Sequence, residues 1–169
     1  MDHKSSVRER VWADLRKVAR ADSRFHFDFG EFIADFEGGG AACARLTNDN
    51  YYQNSKLIFI APDNCIERLR LQALRDGKKV LMTTYSIKRG FWLLGPDVMS
   101  PDDFVYASTL DGMERVATPL TLEEISKMQP VDYMVTGTGA INQGCPVWKR
   151  TRLLRCRVGH AVQTGKNFG

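Results

Sequence analysis

Apolar residues recur along this chain in two rhythms. Val7, Val11, Trp12, Leu15 and Val18 fall at helical spacing, with Arg8, Arg10, Arg16 and Lys17 off the stripe. That pattern predicts an amphipathic opening helix ending near Arg20 or Ala21. The next segment, Asp22 to Gly40, is crowded with aromatics and carboxylates. Asp22 or Ser23 is a candidate cap for a short helical stretch, and Gly38 to Gly40 mark a stop. A further helix is expected from Ala41 to about Gln53. At Leu57 to Ala61 the rhythm changes to a continuous apolar run, which suits a strand covered on both faces. Pro62-Asp63-Asn64 then supplies a turn and helix cap. Ile66, Leu69, Ala73 and Leu74 return to helical spacing until Asp76-Gly77 ends the helix. Lys79 to Thr84 is a second strand of the buried type. Strand, helix and strand within about thirty residues make a βαβ unit, which favours parallel neighbours and a right-handed crossover.

Further along, Thr121 and Glu124 have the spacing of a capping box ahead of a helix reaching Met128. Pro130-Val131-Asp132 leads into a third strand, Tyr133-Met134-Val135, and then into the turn Thr136-Gly137-Thr138-Gly139-Ala140. No repeat and no linker divides residues 1–143. The expected fold is α/β: a three-layer α/β/α Rossmann-like domain with a mainly parallel sheet.

Charge alters this picture more than composition does. The 169 residues carry a net +4, with 43% apolar and 26% charged, as in ordinary globular domains. Six cations (Lys149, Arg150, Arg152, Arg155, Arg157 and Lys166) follow Gly144 with no carboxylate among them. Residues 1–143 therefore hold 18 cations against 20 carboxylates, a net of −2. Such a body gives no electrostatic reason to expect nucleic acid as a partner. No stretch reaches the roughly 18 to 20 apolar residues of a membrane helix, and MDHKSSVRER lacks the apolar segment of a secretory signal. A cytoplasmic protein without a membrane partner is expected. Cys43, Cys65, Cys145 and Cys156 form no C-x-x-C pair and have no histidine at ligand spacing, which predicts reduced, mostly buried thiols.

In open α/β sheets ligands collect at the carboxyl ends of parallel strands. Three such ends are readable: Ala61-Pro62-Asp63-Asn64, Thr83-Thr84-Tyr85-Ser86 and Thr136-Gly137-Thr138-Gly139. The glycines of the last would let a phosphate approach backbone N–H groups, although glycine after a strand more often makes a plain turn. Thr84, Tyr85 and Ser86 serve equally well as turn and cap residues or as ligand contacts. Asp63 is first a cap and second a ligand residue. His26 and Asp28 lie two apart among aromatics, a place where a single histidine is usually packed or exposed without catalytic duty.

These segments together resemble the 5-formyltetrahydrofolate cyclo-ligase (methenyltetrahydrofolate synthetase) family, in particular a divergent branch of it. The residues that carry the resemblance are ADSRFHFDFGEFIADFEG, IFIAPDNCIERLRLQALRDGKKVLMTTYSIKRGF, STLDGMER and VDYMVTGTGAIN, within roughly residues 5 to 143. The resemblance implies ATP-dependent closure of 5-formyltetrahydrofolate to 5,10-methenyltetrahydrofolate with Mg2+, and a reduced folate as the small-molecule partner. In that chemistry the formyl oxygen is phosphorylated, the neighbouring nitrogen attacks, and phosphate leaves, so the protein must cradle phosphates and exclude water. It also implies folate contacts at Asp63, Asn64, Thr84 and Tyr85, and ATP contacts at Arg8, Arg10, Thr136, Gly137, Thr138 and Gly139. Two departures stand out. The family's first βα turn opens with an acidic residue and a threonine, whereas this one reads Pro62-Asp63-Asn64-Cys65.

The second departure is the tail. After the last strand the family continues with a basic, glycine-rich loop of the form G-x-R-x-G-K-G-H-G-(F/Y)-(F/Y)-D, whereas this chain reads GCPVWKRTRLLRCRVGHAVQTGKNFG, with His160 inside it. Ordinary codons for that tail also encode, in another frame, the family-like GVRFGKGHGFFDVEWGMLYKLGKI. The match runs from Cys145 to Gly169, which arbitrary sequence rarely permits. A frame change or misplaced intron boundary near Gln143-Gly144 is therefore expected. It would leave residues 1–143 as a C-terminally incomplete cyclo-ligase-like domain and residues 144–169 as a basic tail outside the fold. The alternative is a folate- or nucleotide-binding domain without ligase activity.

Overall fold

The computed structural model describes residues 3–22, 25–84, 87–138, 141–142 and 145–146. Its elements run α1 (His3–Leu15), α2 (Gly39–Thr47), α3 (Asn50–Asn54), β1 (Leu57–Ile60), α4 (Glu67–Arg75), β2 (Lys79–Thr83), β3 (Phe91–Leu94), α5 (Phe104–Ala107), α6 (Leu110–Val116), β4 (Thr118–Leu120), α7 (Leu122–Lys127) and β5 (Tyr133–Val135). A short antiparallel pair, Ile141–Asn142 with Cys145–Pro146, lies beyond them.

The apolar run at Leu57–Ile60 becomes the strand with a parallel neighbour on each side. Leu57 stands opposite Lys79 on β2, and Ile58 opposite Tyr133 on β5. All four β1 residues are buried, as a run without alternation requires. Helix α4 makes the crossover between β1 and β2, and Gly77, with φ +75°, closes it.

The sheet is mixed rather than mainly parallel. Its order is β4-β3-β2-β1-β5, and both β2–β3 and β3–β4 are antiparallel. The cause is local. The connection between Thr84 and Gly90 is too short for a crossover helix, so the chain turns back on itself. The Thr84 N–H meets the Gly90 carbonyl at 3.4 Å, and Gly90 takes φ +81°, which side chains disfavour. On edge strand β4, Pro119 stands opposite Trp92.

The two sheet faces carry separate cores. On one, Ile58, Ile60, Val80, Met82 and Leu94 pack with Leu69, Ala73 and Leu74 of α4, Phe104 and Ala107 of α5 and Met113 of α6. On the other, Leu57, Phe59, Ala61 and Leu81 meet Met128, Val131 and Met134. The capping box at Thr121 and Glu124 forms as expected, with each residue bonding the other's N–H.

The N-terminal region differs from its expected form. Helix α1 ends at Leu15, and Asp22 caps no helix; its carboxylate accepts the Phe25 N–H at 2.9 Å within a turn-rich loop. This loop and α1 share a third core, in which Phe29, Phe32 and Ala34 pack with Trp12, Leu15 and Ala19. The helix expected from Ala41 to Gln53 divides into α2 and α3 at Asn48-Asp49. Among the described residues no helix is long and apolar enough to cross a membrane.

Candidate functional site

Because β1 lies between β2 and β5, the carboxyl ends of three parallel strands gather at one edge of the sheet. The polar residues that follow these strands are the candidate site.

Asp63 is central to it, though as neither the cap nor the open ligand residue that its position suggests. Its side chain makes no capping bond to the helix it precedes. Instead the buried carboxylate reaches across to the β5 turn and accepts the Gly137 N–H at 3.0 Å. The approach is close enough to require glycine. A Cβ on residue 137 would lie 2.6 Å from Cys65 Sγ and 3.1 Å from Asp63 Cβ. Cys65 is enclosed in the same contact; burial, followed by the nearby Asp63 charge, pushes its thiol up to about 12. It is therefore neutral and unreactive at physiological pH.

Asn64 turns the other way. Its side-chain N–H donates to the buried Asp22 carboxylate, tying the β1 turn to the aromatic loop. A second tie lies alongside, where Arg68 reaches Asp35 at 3.4 Å. Thr84 is buried, and its hydroxyl accepts the Arg89 N–H at 2.8 Å, so it organises the hairpin. Thr83, also buried, has a hydroxyl without a hydrogen-bond partner. Thr136 and Thr138 are half-buried at the end of β5. Tyr85, Ser86, Gly139 and the segment from Gly144, apart from the Cys145–Pro146 strand, lie outside the described residues.

The residue that sequence reasoning missed is Arg70 of α4. It is fully buried. Its Nε donates to the Ser108 carbonyl at 2.7 Å, and Nη1 donates to the carbonyls of Ala61 at 2.9 Å and Asp63 at 3.1 Å. Burial lowers its value to about 10, opposed by the charges of Glu67 and Asp63, so it remains a cation at neutral pH. A buried charge is tolerated only with such a set of partners. Its charge reads as solvated, and the one sequence signal for burial is its spacing from Ile66, Ala73 and Leu74, which sets it on the apolar face of the helix.

Arg8 and Arg10 lie on α1, half-buried and exposed respectively, in the unit that packs on the aromatic loop. That unit also frames an open groove of about 640 Å³, lined by Glu9, Trp12, Arg16, Phe25, His26 and Asp28. His26 is exposed in this groove's wall. The Arg16 guanidinium lies 5.7 and 5.6 Å from the ring centroids of Phe27 and Phe29. Asp28 accepts the Gly30 N–H at 2.9 Å, a turn contact. Among the described residues Cys43 and Cys65 are free thiols, both partly buried. No group of three His, Cys, Asp or Glu side chains that could hold a metal ion occurs among the described residues.

The class defined by these features is an α/β protein whose polar groups converge at the carboxyl edge of a mixed sheet. The chain is 26% identical over 144 residues to the methenyltetrahydrofolate synthase domain-containing protein of Danio rerio, and 24% identical over 142 residues to the Homo sapiens protein of the same name. Each alignment covers 83% of this chain and 36% of the relative, so the chain spans about a third of the length of these curated relatives. No family model matches the chain. No solved structure matches it.

Proposed function

We propose that residues 1–143 form a domain of the three-layer cyclo-ligase type that binds a reduced folate together with ATP, and that the altered tail impairs its use as a ligase. The observation that carries this reading is the similarity to two proteins named for a methenyltetrahydrofolate synthase domain, which extends over 83% of this chain. In this reading the polar groups at the strand ends orient the folate, and the sheet edge shields it from water. Bound ATP would supply the phosphoryl group that makes the formyl oxygen a leaving group. The frame change then removes the glycine-rich loop, and with it the phosphate-binding amides and lysine.

The test compares this chain with a version whose frame is restored after Gln143, each given 5-formyltetrahydrofolate and MgATP, while methenyltetrahydrofolate is followed by its absorbance. Oxyanion and phosphate donors are worth on the order of a hundredfold or more in rate, so the restored protein should exceed this chain by at least that factor. Equal turnover by the two would refute the proposed role of the tail.

A second reading is a non-catalytic folate- or nucleotide-binding domain. It is favoured by the Gly137 amide, which already serves Asp63 and is not open to a phosphate. Binding of 5-formyltetrahydrofolate by the restored protein without turnover would select it.

A further inference from the structure

The candidate site has an internal support that none of its ligand-facing residues provides. Arg70 joins three separate stretches of main chain: the end of β1 at Ala61, the turn at Asp63 and the end of α5 at Ser108. The Ala61 N–H in turn donates to the Val135 carbonyl of β5 at 2.9 Å. The turn carbonyls therefore face the guanidinium on one side, while the Asp63 carboxylate projects across to Gly137. With φ and ψ of residues 61–63 held by two bonds from one rigid, planar group, the carboxylate has a fixed origin from which to reach the β5 turn. A lysine in this place would offer a single point charge on a flexible stem, without the fork that holds the Ser108 carbonyl at Nε and the Ala61 and Asp63 carbonyls at Nη1.

We propose that Arg70 is the positioning residue of this site, setting the Asp63–Gly137 contact and so the spacing between the β1 and β5 turns, without touching a ligand. It acts through Asp63. The partly exposed Glu67 carboxylate lies 3.9 Å from the buried guanidinium and balances its charge.

The experiment uses the full chain labelled with ¹⁵N-glycine and reads the Gly137 amide by its proton shift and hydrogen exchange. Asp63→Asn replaces a charged acceptor by a neutral one, and should move the Gly137 amide upfield and speed its exchange about tenfold, the worth of one charge-assisted hydrogen bond. Arg70→Lys should move the same resonance in the same direction, and Arg70→Met should move it further. The double variant Asp63→Asn/Arg70→Lys should go no further than the larger single change, because both act on one contact. A folded Arg70→Lys protein with Gly137 at its wild-type position, or fully additive effects, would overturn the proposal. Should neither Arg70 variant fold, the Arg70 Nε–H resonance is read instead in Asp63→Asn labelled with both ¹⁵N-arginine and ¹⁵N-glycine. It should shift if the two groups act as a unit, and an unmoved resonance beside a displaced Gly137 rejects the idea. No turnover enters these readouts, so their outcome is independent of the folate assignment.

Discussion

The sheet body and the N-terminal aromatic unit are held together by different physics. In the body, strand register and helix packing bury Ile58, Ile60, Val80, Met82 and Leu94 completely. In the N-terminal unit the phenylalanines sit on turn-rich backbone, and only two of the four between Phe25 and Phe32 are buried. That unit is fastened to the site edge through polar links, Asn64 to Asp22 and Arg68 to Asp35. Apolar burial resists small displacements all along an interface, whereas a few hydrogen bonds can open one by one. Rigidity therefore lies beneath the site and adaptability over it.

The largest effect should come from cutting into the body. Ile60→Ala removes a fully buried side chain from the central strand and should cost about 3 kcal/mol, read as a lower denaturant midpoint with one cooperative transition. Two transitions would mean that the aromatic unit unfolds on its own, and the contrast would be sharper than stated. Next, Gly137→Ala forces a methyl group against Cys65 and Asp63 and should cost about 2 kcal/mol. Cys65→Ala in the same chain should recover part of that loss in thermal melts. Asp22→Ala removes the acceptor of both the Phe25 N–H and Asn64. It should speed hydrogen exchange in residues 25–36 while leaving β1 and β2 unchanged; equal acceleration in the strands would break the proposed division.

The smallest effect lies on the surface. Thr121→Ala removes the capping box and should cost about 1 kcal/mol. Hydrogen bonds from the Thr121 N–H and hydroxyl hold the Glu124 carboxyl below its ordinary 4.5. A lowered folded-state value stabilises the protein above the unfolded pKa, and that contribution is lost as pH falls through the folded value. The acid limb of the stability curve, below about pH 4.5, should therefore be shallower in Glu124→Gln.

Much of this body is legible in the sequence because its signals are local. The apolar runs at Leu57 and Lys79, the helix between them and the Thr121 box each declare themselves within a few residues. The strand at Phe91–Leu94 follows Gly90 and could have been read from its continuous apolar run. The strand at Thr118–Leu120, three residues with a proline in the middle, carries no such signal. Asp63 and Gly137 are individually visible as strand-end residues, yet their bond spans 74 positions and no local pattern encodes it. Arg70 is concealed for a different reason: its charge suggests solvent although its spacing from Ile66, Ala73 and Leu74 sets it on the apolar face, and only the tertiary fold surrounds it with carbonyls. The sheet is mixed because a tight return after Thr84 outweighs the parallel habit set by the βαβ unit.

Pro119 has a consequence beyond its place opposite Trp92. A proline fits a paired strand where its missing N–H would face away from the partner, here toward the free side of β4. The row of donors that an incoming strand would need is interrupted there, on a segment only three residues long. A second molecule is thus denied a template for extending the sheet at the β4 edge. A three-residue edge strand with a proline at its centre limits self-association of the chain on that side of the sheet.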